Sequence, residues 1–253
     1  MRQVKPARQS KILAELERTP SLRVAELAHK LGVSTETVRR DLDELTGQGL
    51  LNRTYGGAIR PRATEPPVYE RHALFKAERQ AIAKAALGIV KDGKVLIIGS
   101  GSTTVHLAHR IAAEMKDITA IAHSFGVASA LAANPTIKVL MLPGEYHAGE
   151  GTMLGPNTVG FLNNFCADYA ILGASGLASD GPTDALLESG AVYSAMMARA
   201  AKTIVVADHS KFGQIFPACY APWRQVDHLV TDQPPESALR GALNRNGVAI
   251  TVA

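Results

Sequence analysis

The chain from residue 76 onward alternates short apolar runs rich in β-branched residues with stretches of helical periodicity. Seven of the apolar runs are predicted as strands: Val95–Ile98, Ile118–Ala122, Ile137–Leu142, Tyr169–Leu172, Thr203–Ala207, His228–Thr231 and Val248–Val252. Five stretches before or between them are predicted as helices: Lys76–Ile89, Thr103–Glu114, Val127–Ala132, Leu187–Ala200 and Glu236–Arg245. Strands that alternate with helices indicate an α/β fold in which a mostly parallel sheet carries helices on both faces.

The first 60 residues follow a helical period and predict a separate, smaller unit of three helices. Val24, Leu27 and Leu31 lie on one face of the second helix, and Ser34 is a favourable N-cap for the third. The turn between these two helices is Gly-Val-Ser, and residues 50–57 then predict a short hairpin. Two helices joined by such a turn and followed by a hairpin are typical of a winged helix-turn-helix.

Residues 56–67 separate the two patterns, because they contain three prolines, two glycines and few apolar residues. Such a composition is typical of a linker that is stiffened where two prolines are adjacent. We predict a winged helix-turn-helix domain over residues 1–60, a linker over residues 61–75 and the α/β domain over residues 76–253.

The composition excludes several classes of protein. Hydrophobic residues make up 46% of the chain and charged residues 20%, so it can form a packed core and is neither disordered nor collagen-like. No apolar run reaches the roughly 18–20 residues that a membrane span needs, and the N-terminus has no secretory signal. Cys166 and Cys219 match no metal-ligand spacing and no disulfide framework. We therefore expect a cytoplasmic protein without a membrane partner, a metal or another cofactor.

The positive charge is concentrated in the smaller unit. Residues 1–62 hold 12 Lys and Arg against 7 Asp and Glu, whereas residues 63–253 hold 15 against 16. A small basic unit attached to a nearly neutral one favours a nucleic-acid-binding module. The alternative is a generic three-helix bundle with a charged face.

The third helix is the predicted DNA-reading element, because its N-terminal end carries polar and basic side chains that can reach major-groove edges and phosphates. Two arginines near this end can bind guanine or phosphate in a forked geometry. The hairpin would form a wing against the DNA backbone. The predicted DNA-binding residues are Ser34, Thr35, Thr37, Arg39, Arg40, Arg53 and Tyr55.

The first strand of the α/β domain runs into Gly99-Ser-Gly-Ser-Thr-Thr104 and then into a helix. Glycines allow an anion to approach the backbone closely, and the start of a helix supplies free N–H groups and the positive end of its dipole. The predicted phosphate-binding residues are Ser100, Gly101, Ser102, Thr103 and Thr104. The turn is a poor dinucleotide site, since Thr104 stands where the dinucleotide motif has glycine. The alternative is an ordinary tight turn rich in Gly and Ser.

Two later loops also follow apolar strands and carry polar groups. One contains Ser175 and Asp180, and the other contains Asp208 and Lys211. Loops at the carboxyl ends of parallel strands meet at one edge of the sheet, where open α/β folds bind ligands. We expect Lys211 to neutralise a phosphate and the other three side chains to bind sugar hydroxyls.

The chain resembles the DeoR-type bacterial repressors in several sequence blocks. These are Val33-Ser34, Arg39-Arg-Asp-Leu42, Gly56-Gly-Ala58, Gly101-Ser-Thr-Thr104, Gly173-Ala-Ser-Gly176 and Asp208-His-Ser-Lys-Phe-Gly213. The resemblance implies a winged helix-turn-helix followed by a domain similar to the ribose-5-phosphate isomerase fold. It also implies that a phosphorylated sugar or polyol releases the protein from its operator.

The sequence departs from the family pattern on the loops expected to bind the effector. His123 and Ser124 stand within the usual Thr-Asn-Ser, and Gly144 and Glu145 replace the usual Gly-Gly. Ser189 stands where a Glu usually opens a long helix. The resemblance therefore adds His123, Ser124, Gly144 and Glu145 to the effector-binding residues. The two that differ from the family, His123 and Glu145, are predicted to tune which sugar fits.

The function predicted from these observations is a sequence-specific DNA-binding regulator, a repressor of a carbohydrate-catabolism operon, without catalytic residues. Its partners would be double-stranded operator DNA and the phosphorylated effector, and it would form a homodimer or homotetramer because one winged unit covers one half-site. Two alternatives stay open: a sugar-phosphate isomerase with an accessory DNA-binding unit, and an oligomeric scaffold without a ligand.

Overall fold

The computed structural model describes residues 5–18, 21–47, 51–54, 56–59 and 65–253. The chain divides into two compact units, Met1–Arg62 and Ala63–Ala253. None of the helices in these described ranges is long and apolar enough to cross a membrane.

The first unit contains three helices and a small antiparallel sheet. Its elements are α1 (Lys5–Arg18), β1 (Ser21–Arg23), α2 (Val24–Leu31), α3 (Thr35–Gly47), β2 (Asn52–Thr54) and β3 (Gly57–Ile59). The strands are in the order β1-β3-β2, so the hairpin is joined by a strand that precedes α2. The expected three helices and hairpin are present, and this extra strand was not predicted because three residues are too few to show alternation.

The three helices and the segments of the small sheet all contribute apolar side chains to the core of the first unit. Leu27, Val38 and Leu42 are fully buried at the crossing of α2 and α3. One charged pair lies at the edge of this core, where Arg8 Nη2 donates to Asp41 Oδ1 at 2.9 Å and so ties α1 to α3. Asp41 therefore has a structural role on the inner side of α3, which leaves the outer side of that helix exposed.

The second unit is built on seven parallel strands. They are β4 (Val95–Ile98), β5 (Thr119–Ala122), β6 (Lys138–Met141), β9 (Ala167–Leu172), β12 (Ala200–Val206), β14 (His228–Thr231) and β15 (Ala249–Val252). Their order in the sheet is β15-β14-β12-β9-β4-β5-β6. This confirms the predicted α/β fold class, and the observed strand bounds differ from the predicted ones by three residues or fewer.

Helices cover both faces of the sheet. Successive residues of each buried strand point to opposite faces and therefore pack against different helices. The helices are α4 (Val68–Arg71), α5 (Lys76–Val90), α6 (Ser102–Glu114), α7 (Phe125–Leu131), α8 (Pro156–Leu162), α9 (Leu187–Met197) and α10 (Ser237–Arg245). Leu96 and Ile98 pack in the core with α5, α6 and α7, whereas Ile97 packs in the core with α8, α9 and α10.

Two small sheets were not predicted. One is the antiparallel pair β7 (Glu145–His147) and β8 (Thr152–Leu154), and the other contains β10 (Gly176–Leu177), β11 (Pro182–Asp184) and β13 (Ala218–Cys219). Their strands are two or three residues long, so the sequence gives no periodic signal for them. Both sheets follow strands of the main sheet and therefore carry loops at its carboxyl edge.

The expected linker overlaps the second unit. Residues 65–75, which the sequence assigned to the linker, belong to that unit, and they include α4. Arg71 is buried there, and Val68 donates its backbone N–H to the carbonyl of Gly149 at 3.0 Å. Proline-rich composition marked the segment as non-regular but gave no sign that it packs against the α/β fold.

Candidate functional site

A cavity opens at the carboxyl edge of the main sheet, between β4 and β9. The chain runs outward from β4 to β5 and β6 on one side, and then returns to place β9 on the other side. Such a reversal leaves a crevice between the loops that follow the two central strands. The cavity is lined by Arg71, Arg79, Ser100, Gly101, Ser102, Thr103, Glu150, Gly173, Ala174, Ser175, Asp184, Ser189, Tyr193 and Lys211.

The loop after β4 forms the anion-binding part of this wall. Gly101 has φ 121°, a conformation that disfavours any side chain, and it is the residue before α6. The first N–H groups of a helix have no partner within the helix, so they are available to a ligand. Ser102 lies at the same point, and within the described part of the chain its buried Oγ has no hydrogen-bond partner. A phosphate oxygen would satisfy these donors together.

Two buried tyrosines bind the loops that follow β4 and β9. The Tyr193 hydroxyl donates to the carbonyl of Ser100 at 2.9 Å, and the Tyr220 hydroxyl donates to the carbonyl of Gly173 at 2.6 Å. The two rings meet edge to face with centroids 5.1 Å apart. Burial raises the pKa of both hydroxyls, so they stay protonated as donors and fix the loops after β4 and β9.

Charged side chains line the rest of the cavity. Lys211 Nζ lies 2.7 Å from Glu65 Oε1, and Arg71 Nη1 donates to the same oxygen at 3.0 Å. Arg71 also donates to Glu150, and Ser175 donates to the second oxygen of Glu65. Burial lowers the pKa of Arg71, but the two carboxylates outweigh it and the net shift is upward. Arg71 therefore stays charged in the cavity.

The third cation of the cavity, Arg79, is held by hydrogen bonds to other parts of the second unit. Arg79 Nε donates to Asp208 Oδ2 at 3.1 Å, and Arg79 Nη1 donates to the carbonyl of Arg71. The side chain of Arg79 is 3% exposed and that of Asp208 is fully buried. This pair joins α5 to the end of β12 and positions the segment that carries Arg71.

Asp184 adds a carboxyl with altered acidity. Burial raises its pKa to about 7, and the N–H of Leu186, which donates to it at 3.0 Å, offsets only part of that shift. The carboxylates of Glu65 and Glu150 raise the pKa further. Near neutral pH Asp184 is therefore partly protonated, and it can donate a hydrogen bond to a hydroxyl as well as accept one.

The structure brings six of the predicted effector-binding residues to the cavity wall: Ser100, Gly101, Ser102, Thr103, Ser175 and Lys211. Two others lie just behind the wall. Thr104 is buried and donates its hydroxyl to the carbonyl of Gly101 at 2.8 Å, and Asp208 pairs with Arg79. These two residues shape the site but do not offer their side chains to it.

The remaining predicted effector residues have other environments. His123 is fully buried, its Nδ1 lies 2.9 Å from the carbonyl oxygen of Met153, and burial lowers its pKa to about 4. Ser124 caps α7 by accepting from the N–H of Val127. Gly144 and Glu145 begin the β7–β8 hairpin, where Glu145 is exposed, and Asp180 lies on an exposed loop bonded to Ser179. The expectation that Asp180 binds a sugar hydroxyl finds no support in this position.

Sequence reasoning missed six residues at the site: Glu65, Arg71, Arg79, Glu150, Asp184 and Tyr193. Arg79 carried a usable signal, because it lies on the same helical face as the apolar residues Ile82 and Ala83. Tyr193 carried a similar signal, because it lies on the predicted helix α9 beside the buried Val192 and Met196. The other four lie in short or irregular segments without periodicity. Ser189 does line the cavity at the place where the family usually has a Glu.

The first unit presents the predicted DNA-reading face. Ser34 Oγ accepts from the N–H of Thr37 at 3.2 Å and so caps α3. The side chains of Arg39 and Arg40 are 57% and 77% exposed, and both lie near Glu36, at 3.8 and 3.5 Å. Thr35 is also exposed. Arg53 lies on β2, but its side chain and the whole of Tyr55 are outside the described residues.

The comparisons with known proteins cover both units. A family model described as a DeoR-like helix-turn-helix domain matches residues 8–64, and one described as the DeoR C terminal sensor domain matches residues 75–233. The HTH-type transcriptional repressor CsqR of Escherichia coli (strain K12) is 33% identical over 90% of this chain and 88% of its own length. The Glycerol-3-phosphate regulon repressor of the same strain is 30% identical over 89% of this chain and 90% of its own length.

Among solved structures, the ribose 5 phosphate isomerase A of Neisseria gonorrhoeae is 19% identical over 53% of this chain and 52% of its own, with a TM-score of 0.39. The relatives that match most of the chain are named repressors rather than enzymes, which supports the regulator over the isomerase alternative. The resemblance seen in the sequence is confirmed: the chain belongs to the DeoR family of transcriptional regulators.

Proposed function

We propose that this DeoR-family protein represses an operon for carbohydrate catabolism and leaves its operator when a phosphorylated sugar or polyol binds the cavity. The observation that carries the proposal is the start of α6, beside a cavity lined by cations. There the buried hydroxyl of Ser102 has no partner among the described residues, and the first N–H groups of the helix are available to a ligand. The printed name of one relative, the Glycerol-3-phosphate regulon repressor, links a phosphorylated polyol to such a protein.

The chemistry of the wall fits an anionic head with hydroxyls attached to it. The phosphate would take the donors of Gly101–Thr103 and the charge of Lys211. Ser175, Asp184 and Glu150 offer oxygens to the polyol chain. Because His123 and Glu145 lie outside the wall, we propose that they act on specificity indirectly, by setting the position of the β7–β8 hairpin.

A thermal-shift screen tests this function with pairs of compounds that differ only in the phosphate, such as glycerol with glycerol 3-phosphate. A ligand that binds only the folded state raises the melting temperature, and the shift grows with the logarithm of the ratio of ligand concentration to Kd. We expect a phosphorylated member to stabilise the protein and its unphosphorylated partner to have no effect. The same compound should release the protein from operator DNA in a gel-shift titration. Equal responses to both members of every pair would contradict the proposal.

Operator binding is proposed to use the exposed face of α3 together with the hairpin: Ser34, Thr35, Thr37, Arg39, Arg40, Arg53 and Tyr55. The basic charge of residues 1–62 supports contact with phosphates, and the arginines supply base recognition. We also propose a homodimer or homotetramer in the cytoplasm, since a repeated operator needs more than one winged unit. Light scattering at micromolar concentration checks the oligomeric state, and a monomer that binds DNA tightly would exclude it.

The arginines of α3 give a direct prediction. Arg39→Ala is expected to weaken operator binding by about 1–3 kcal/mol, the range for a bidentate contact with a base. The folded unit should be unaffected, because Arg39 is exposed and its ion pair with Glu36 spans 3.8 Å. Lys11→Ala, an equal loss of charge on the exposed side of α1, serves as the control in a gel-shift titration. If Arg39→Ala, Arg40→Ala and the control all bind like the wild type, α3 is not the recognition helix.

A further inference from the structure

We propose that Glu65 is an internal ligand of the effector cavity, and that the effector binds by displacing it. This inference rests on the proposed function and adds a mechanism of regulation to the same site. The Glu65 side chain is 5% exposed although it belongs to the segment just before α4. Its two oxygens bind Lys211, Arg71 and Ser175, which come from three separate parts of the chain.

The contacts of Glu65 are those that an anionic ligand would need. A carboxylate and a phosphate compete for the same donors, namely an ammonium group, a guanidinium edge and a hydroxyl. With Glu65 in place, the three cations of the cavity face the carboxylates of Glu65, Glu150 and Asp208, together with the partly protonated Asp184. A dianionic ligand gains little attraction from a site without net positive charge, whereas departure of Glu65 leaves Lys211 and one edge of Arg71 free to bind it.

The remaining space leads to the same conclusion. The cavity left among these side chains has a volume of about 30 Å³. A cavity needs about 10–15 Å³ of such volume to hold one water, so this one has room for about two waters and not for a sugar phosphate. An effector can therefore enter only if a group now in the cavity moves out. Glu65 is such a group, because it lies outside the helices and strands, on the segment just before α4.

Displacement of Glu65 would reach the DNA-binding unit through the chain itself. Glu65 is the first residue after residues 60–64, and those residues follow β3 of the first unit. When Glu65 is bound, the start of the second unit is fixed at the cavity, and when it leaves, this anchor is lost. The effector thus binds one state and not the other, which is the requirement for a shift in their populations.

The first experiment titrates inorganic phosphate into the full-length protein by calorimetry. Glu65→Gln removes the charge but keeps the shape, and Glu70→Gln makes the same change on an exposed residue of α4. We expect Glu65→Gln to bind phosphate about tenfold more tightly than the wild type, because the competitor no longer reduces the fraction of open cavities. Glu70→Gln should bind like the wild type.

The outcomes separate the two proposals. If phosphate binds the wild type and Glu65→Gln equally well, or the variant less well, Glu65 is not displaced and only this inference fails. If phosphate and the sugar phosphates bind neither form, the effector site itself is wrong and the proposed function fails with it.

A second experiment needs no variant. Hydrogen exchange of the wild type should show faster exchange at the N–H groups of Glu65 and Val68 when phosphate is bound, since their anchor is released, whereas Pro66 and Pro67 between them have no N–H. Slower exchange at these positions would mean that Glu65 helps to hold the ligand, and would overturn the displacement mechanism. The peptide covering α5 provides the internal reference, because five apolar residues of this helix are buried in the core.

Discussion

Arg79→Met is expected to lower the free energy of unfolding of the second unit by about 3–5 kcal/mol, the cost of leaving a buried charge without its partner. Asp208 is fully buried, and Arg79 Nε donates to it at 3.1 Å. Methionine keeps most of the apolar stem of arginine but cannot neutralise that carboxylate. Denaturation by urea, followed through the fluorescence of the single tryptophan, Trp223, reports on this unit because Trp223 lies in its core.

Three further variants isolate the cause, and the first is Asp208→Asn alone, which serves as the second single variant. The double change Arg79→Met with Asp208→Asn removes the buried charge, so it should be more stable than Arg79→Met alone. Arg110→Met breaks an exposed pair with Glu114 on α6 and should cost less than about 1 kcal/mol. A double variant as unstable as the sum of its two single variants would show that the two side chains are not coupled.

Much of the architecture could be predicted because periodicity records burial. Val95–Ile98 is a continuous apolar run, as a strand covered on both faces must be, and the structure has a strand with these bounds. The glycines around Ser100 mark a turn before a helix, and Gly101 does adopt a positive φ there. In the first unit, Ser34 was predicted to cap α3 from its residue type and position alone, and it does.

The wall of the cavity was predicted only where it follows strands of the main sheet. Ser102, Ser175 and Lys211 each come shortly after such a strand, so the topology brings them together. Arg71 and Glu150 lie in a short helix and in the turn of a hairpin, and nothing local in the sequence shows that these segments meet. Their pairing depends on tertiary packing across 79 residues, which a pattern of nearest neighbours does not contain.

Glu65 is the residue whose role the sequence indicates least. It follows Ala63-Thr64 and precedes two prolines, a setting typical of a linker, where a carboxylate would ordinarily be solvated. In the structure three donors surround it instead. The cationic character predicted for the site from Lys211 alone is thus largely neutralised by the protein's own chain, which changes what an effector has to do in order to bind.

Lys211→Met is expected to abolish release from the operator at effector concentrations that release the wild type, with operator affinity itself nearly unchanged. In the proposed function Lys211 donates a charge-assisted hydrogen bond to the effector. Losing such a bond costs about 1.5–3 kcal/mol, which raises the effector concentration needed by about ten- to hundredfold. The proposed DNA-binding residues all belong to the unit Met1–Arg62, whereas Lys211 belongs to the second unit. Gel-shift titrations at fixed operator and rising effector measure both quantities.

Lys202→Met, an exposed lysine on β12, is the matched control and should respond like the wild type. If effector releases Lys211→Met from the operator as readily as it releases Lys202→Met, the phosphate binds elsewhere in the protein. If Lys211→Met, but not Lys202→Met, fails to bind the operator, the occupied cavity is itself required for the DNA-binding state.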